Sequence, residues 1–141
     1  MISLRAVNAH PQYRTNLSAT VSLARRVFRR EHRLRIDCSI IYIYDGLMKS
    51  LNGTYLDQWH ATDVLTFPLH DKGARMLSGE IYVNIDQVRR QAREYGVSIR
   101  EETARLVIHG ALHLCGYLDA TPAQKKRMTA KQELYVRKFL G

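Results

Sequence analysis

The sequence predicts an α+β fold, a single layered domain in which a small mixed β-sheet of about four strands is packed by about five helices. Three observations predict it. Short runs rich in Ile, Val and Tyr, such as SIIYIY and GEIYVNI, read as strands and occur only in the first two thirds of the chain. Segments with apolar residues at helical spacing separate those strands and then take over the last third. No repeat, low-complexity stretch or Pro/Gly/Ser-rich linker interrupts the 141 residues, so one domain, 1–141, is expected.

The elements follow in order. A short strand around Ile2 to Val7 leads into a helix from about Leu17 to Glu31, with Leu17, Val21, Ala24 and Phe28 on its apolar side. Ser39 to Tyr44 form a strand, after which Asp45 caps a short helix ending near Gly53. Two further strands, Asp63 to Pro68 and Gly79 to Ile85, flank the polar stretch HDKGARML, expected as a hairpin loop over the site. Asp86 is the expected cap of a helix carrying Val88, Ala92 and Tyr95 and stopped by Gly96. Ser98 and Glu101 make an S-x-x-E capping box for a helix running to about Cys115, where Gly116 can turn left-handed. Thr121, Pro122 and Gln124 start the final helix, which runs to about Leu140.

Composition narrows the function classes. No apolar run approaches the ~20 residues that span a bilayer. Met1 to His10 lack the basic-then-apolar pattern of a secretory signal, so a cytoplasmic protein without a membrane partner is expected. Cys38 and Cys115 are too few for a disulfide framework and sit in apolar surroundings, as buried free thiols do. Lys and Arg total 22 against 13 acidic residues, a formal charge of +9. Such an excess suits a polyanion, nucleic acid or an anionic membrane surface, and because it concerns the whole chain it favours RNA or DNA. Arg25, Arg26, Arg29, Arg30, Arg33 and Arg35 form the densest run, with smaller clusters at Arg89, Arg90, Arg93 and at Lys125, Lys126, Arg127.

The chemistry concentrates at HGALHLCGYLD, His109 to Asp119. His109 and His113, spaced i and i+4 on an otherwise apolar helix, share one face and can aim their imidazoles at one ion. Gly116 permits a sharp turn, and Asp119 follows at the offset where zinc proteases of the metzincin type place a third ligand. A lone H-x-x-x-H is weak evidence for metal; the glycine and third ligand make the set His109, His113 and Asp119 specific, with one Zn²⁺ per chain expected. Those proteases carry a glutamate general base after the first histidine, and here Gly110 stands in that position, which argues against peptide hydrolysis.

The same segment resembles the YbeY family of endoribonucleases, whose motif is close to H-G-x-L-H-L-x-G-Y-D-H. ATDVLTFP (Ala61 to Pro68), LNGTY (Leu51 to Tyr55) and SGEIYVN (Ser78 to Asn84) are similar to further family segments, in the expected order over roughly residues 36 to 138. The resemblance implies a single-strand-specific, metal-dependent endoribonuclease of ribosome biogenesis, acting on the 3′ end of 16S rRNA. It implies ribosomal RNA and the small ribosomal subunit as partners, and admits a ribosomal protein or a GTPase as a further one.

Two departures stand out. The family's third histidine is Asp119 here; a carboxylate binds zinc, but it lowers the net charge of the site, so bound water should be less acidic. It also widens the choice of metal. The arginine that many members carry after the tyrosine of L-N-x-x-Y is Leu56, and the aspartate of G-Y-D-H is Leu118. Arg75 or Lys72 in the loop could steady phosphate instead. Metal-bound water is the expected nucleophile, and the general base is open, with His60, Asp63 and Glu80 as weak candidates. Two other classes stay open: a ribosome-assembly RNA-binding protein with a structural metal, and a zinc hydrolase or peptidase of another substrate.

Overall fold

Four strands and five helices follow one another through the computed structural model, which describes residues 1–58 and 60–140. Strand β1 (Ile2–Asn8) leads through α1 (Leu17–Arg30) to β2 (Ile36–Ile43) and α2 (Asp45–Leu56). The hairpin of β3 (Val64–Pro68) and β4 (Leu77–Asn84) precedes α3 (Ile85–Tyr95), α4 (Ile99–Leu114) and α5 (Pro122–Leu140). The sheet order is β1-β2-β4-β3, with β1, β2 and β4 parallel and β3 antiparallel to β4. The expected α+β class is therefore the observed one.

Period-two alternation divides the sheet into two faces. Cys38, Ile40 and Tyr42 of β2 stand beside Gly79, Ile81 and Val83 of β4, all buried. Against this face lies α4, whose Leu106, Val107, Ile108, Ala111 and Leu112 are buried, as a helix apolar nearly all round should be. The contact is close because Gly110 faces Ile81: a Cβ at Gly110 would lie 2.6 Å from Ile81 Cγ2. Gly79 serves the same approach from the sheet, beneath Leu114.

Several local expectations are corrected. Asp45 lies inside the first turn of α2, and Tyr44 is the cap residue, without a side-chain bond. The Asp45 carboxylate instead accepts from Asn84 Nδ2 (2.8 Å) and from Arg90 (2.7 and 2.9 Å). Asn84, not Asp86, caps α3, its side chain accepting from the Asp86 N–H. Asp86 is drawn away by buried His10 (2.8 Å) and by the Asp45 N–H (3.0 Å). Helix α2 continues past Gly53 to Leu56 and ends where Asp57 turns left-handed, at φ 53°. The buried stripe of α1 contains Thr20 and Val27 beside Ala24 and Phe28; Thr20 satisfies its hydroxyl on the Asn16 carbonyl and the Tyr42 hydroxyl. Tyr95, expected on the apolar side of α3, is exposed.

Candidate metal centre

Helix α4 ends as a hydrogen-bonded Schellman turn. The Gly116 N–H donates to the His113 carbonyl and the Tyr117 N–H to the Leu112 carbonyl, with Gly116 at φ +102°. The turn sends the chain back beneath the helix end. The next helix is capped reciprocally: Thr121 Oγ1 accepts from the Gln124 N–H, and Gln124 Oε1 accepts from the Thr121 and Ala120 N–H groups. Asp119 lies between these two anchors.

The result brings together the three side chains that the motif singles out. His109 Nε2 and His113 Nε2 are 3.1 Å apart, and Asp119 Oδ2 lies 3.6 Å from the first and 3.3 Å from the second. Tetrahedral ligation at about 2.0–2.1 Å separates donor atoms by about 3.3 Å, so this triangle has the size of one face of a zinc tetrahedron.

Hydrogen bonds behind the rings identify which nitrogens are free. The Tyr117 carbonyl, 2.9 Å from His113 Nδ1, can only accept, so that nitrogen carries the proton. Gln132 donates through Nε2 to Glu133 (3.1 Å), which turns its Oε1 towards His109 Nδ1 at 2.7 Å. In the neutral imidazoles both Nε2 atoms are then bare lone pairs, facing each other and a carboxylate oxygen. A metal ion or a proton shared among the three atoms relieves that arrangement, and the N,N,O donor set at this spacing suits zinc. Burial lowers the His109 pKa, aided by the nearby His113; the Gln132 bond and the Asp119 and Asp63 charges oppose it. A neutral ring is the form a metal needs.

Gln132 gave no signal in the motif, although α5 announces it. Met128 and Tyr135 are buried on the inner side of this helix, and Gln132 interrupts their stripe one turn after Met128. Behind it Glu133 is held by Arg105 at 2.8 Å, so the ring of His109 is braced by a chain of three side chains. Replacing Gln132 by Leu should weaken zinc binding about 10–100-fold, the usual cost of losing such a partner. Competition with a chromophoric chelator measures it.

The other candidates separate. Asp63 stands before β3, accepts from Gln91 at 3.3 Å, and contributes its charge to His109. Glu80 is on the opposite face of β4 from Ile81, bonded by the Tyr82 hydroxyl at 3.2 Å, and so faces away from α4. His60 is exposed, its carbonyl taken by Asn52 Nδ2. Lys72 and Arg75 are exposed in the hairpin loop, and Leu56 and Leu118 are exposed as well. Both thiols are buried, which pushes each up to about 12, and among the described residues Cys115 is not one of the side chains that converge on the tripod.

The family model for Endoribonuclease YbeY matches residues 5–140. The chain belongs to the YbeY family. The Endoribonuclease YbeY of Chlorobaculum parvum is 35% identical over 101 residues, 72% of this chain and 70% of that one. That of Chloroherpeton thalassium is 38% identical over 100 residues, covering 71% and 70%. The solution structure of TM1509 from Thermotoga maritima superposes with a TM-score of 0.64 at 29% identity, covering 94% of this chain and 86% of that one. The structural superposition thus agrees with membership of the YbeY family. Among the described residues, no helix is long and apolar enough to cross a membrane.

Proposed function

We propose that this chain is a zinc-dependent endoribonuclease that cuts single-stranded RNA and acts in the maturation of the 3′ end of 16S ribosomal RNA, in the cytoplasm. The observation that carries the reading is the converging donor triangle of His109, His113 and Asp119. Family membership supports the nuclease chemistry, and the +9 charge supports an RNA substrate. The ribosomal substrate rests on the motif resemblance, which also supports the small subunit, with a ribosomal protein or GTPase, as partners.

When bound, zinc would supply an acidified water or polarise a phosphoryl oxygen. The chain's own residues set the conditions for that chemistry. His109 and His113 present unprotonated Nε2 atoms because their Nδ1 protons are committed to Gln132 and Tyr117. Asp119 adds one negative charge, which tempers the Lewis acidity of the site. Of the polar candidates, Glu80 is disfavoured because it lies across the sheet, which leaves Asp63 and His60 to be tested as the base. Gly110 leaves no carboxylate in the position of a peptidase base, which disfavours the peptidase alternative.

The test is cleavage of a single-stranded RNA by zinc-reconstituted, chelator-treated and re-metallated protein, followed by mapping of 16S precursor ends. Cutting confined to the metallated forms, with a defined 3′ end on the precursor, is expected. A chain that cuts no RNA under any metal condition would sink the endonuclease reading.

A further inference from the structure

Two positively charged segments far apart in sequence, the end of α1 and the first half of α5, converge on the loop that carries Asp119. Arg33, from the run after α1, donates through Nη2 to the Cys115 carbonyl at 3.2 Å. Its neighbour Glu31 accepts from the Tyr117 hydroxyl at 2.8 Å and from the Tyr135 hydroxyl, and pairs with Lys131 at 3.3 Å. Thus Glu31, nearly buried, ties the end of α1 to the metal loop and to α5 at once. On the other side of the same turn, the Arg127 guanidinium lies over the Tyr117 ring, 5.5 Å from its centroid. On the Arg127 side of the turn, Gly116, Tyr117, Leu118, Gln124 and Arg127 line a groove of about 190 Å³.

The charge in this region is one-sided. Arg29, Arg30, Arg33 and Arg35 are exposed at the end of α1, and the one carboxylate among them, Glu31, is spent on the tie. From Pro122 to Gln132 the α5 segment holds Lys125, Lys126, Arg127 and Lys131 and no acid. Among the described residues neither Arg33 nor Arg127 has a carboxylate within 4.0 Å. The groove itself is walled by a guanidinium within cation–π range of an aromatic ring and by an exposed leucine. A guanidinium so placed offers N–H groups to phosphate and a plane for a base, and single-stranded RNA is held by such pairings of charge and stacking.

We propose that single-stranded RNA reaches the tripod across the Gly116–Leu118 turn, between the end of α1 and the start of α5, with Arg33 and Arg127 as phosphate-binding residues and the Tyr117–Leu118 groove receiving a base. This rests on the endoribonuclease reading and extends it by naming the substrate path. The path supplies on the α5 side the cations that Leu56 does not provide on α2. Among the described residues, Lys72 and Arg75 on the rival path over the β3–β4 hairpin make no hydrogen bond or ion pair to the metal loop.

The test uses the zinc-loaded chain and a short single-stranded 2′-O-methyl oligonucleotide, which binds without being cut. Fluorescence anisotropy over a salt series compares native protein, Arg33→Gln with Arg127→Gln, and Lys72→Gln with Arg75→Gln, with zinc content and melting temperature checked for each. The first double variant should bind about tenfold more weakly or worse near 0.1 M salt, with a salt slope shallower by about 1.4, or 0.7 for each lost phosphate contact. Its zinc content should be unchanged. On a cleavable RNA its loss should fall on KM and leave kcat nearly intact, as removal of ground-state binding does. Native affinity and slope in that variant, with the deficit appearing in the hairpin variant, would overturn the path while leaving the nuclease reading in place. A native chain that binds and cuts no RNA would remove the nuclease reading and this path together.

Discussion

Replacement of His113 by alanine should leave a folded protein that no longer holds zinc. The substitution removes one of three donors and leaves the Tyr117 carbonyl without its 2.9 Å partner, a local cost of about 1 kcal/mol at a half-buried site. The metal loses far more. A supporting hydrogen bond to a ligand is worth about 10–100-fold in affinity, and a ligand itself should exceed that range. Two readouts are expected to move together. Elemental analysis should give about one zinc in the native chain and none in the variant. Zinc at about a hundred times its Kd should stabilise the native fold by ~2.7 kcal/mol, a rise of several degrees in Tm, and leave the variant's Tm unmoved. A variant that retains a full zinc equivalent would place the metal elsewhere and make the three-residue set incidental.

Gly110→Glu should abolish folding, and Gly110→Ala should cost about 1–3 kcal/mol or somewhat more. The reason lies across the helix–sheet interface. Three atoms of Ile81 lie between 2.6 and 3.1 Å from where a Cβ at Gly110 would be, and Ile81 is buried and branched at its own Cβ, so it cannot swing aside. A glutamate there would add a carboxylate to an apolar interface without a partner. Urea unfolding of Gly110→Ala measures the first effect, and soluble yield with circular dichroism reports the second. Combining Gly110→Ala with Ile81→Ala should recover part of the loss, since the two sites share one contact. A well-folded Gly110→Glu protein would show that the interface yields more readily than this packing implies. The packing therefore explains why the base of zinc proteases has no counterpart on this helix: its position is occupied by the sheet.

The features legible in sequence are those decided within a few residues. Ser98 caps α4, Gly116 turns left-handed, Thr121 and Gln124 cap each other, and Asp119 meets the two histidines. Each depends on chain geometry over one or two turns, so spacing alone carries it. The misread elements depend on partners remote in sequence. Asp45 and Asp86 have the chemistry of caps, but Arg90, Asn84 and His10 engage their carboxylates first. Thr20 is missing from the apolar side expected for α1, because its burial depends on Tyr42 meeting it from β2. Gln132 needs the docking of α5 on α4 before it touches His109. The arginine run carries no sequence signal of its position, and the Arg33–Cys115 and Glu31–Tyr117 bonds reveal that it abuts the metal loop.

The seven residues from Cys115 to Thr121 are held at one end by the Schellman turn and at the other by the Thr121–Gln124 box, with Tyr117 pinned between them. Ordering a backbone residue costs about 1–2 kcal/mol, so immobilising a loop of this length is a cost of roughly 7–14 kcal/mol. The hydrogen bonds that meet that cost join protein groups to one another and use none of the three donor atoms of the tripod. The ordering entropy should therefore be lost when the chain folds rather than when metal arrives, leaving most of the ion's binding free energy to appear as affinity. It also follows that metal can leave and return without the loop unravelling, so amide exchange at Gly116 and Tyr117 should be slow in the metal-free protein too.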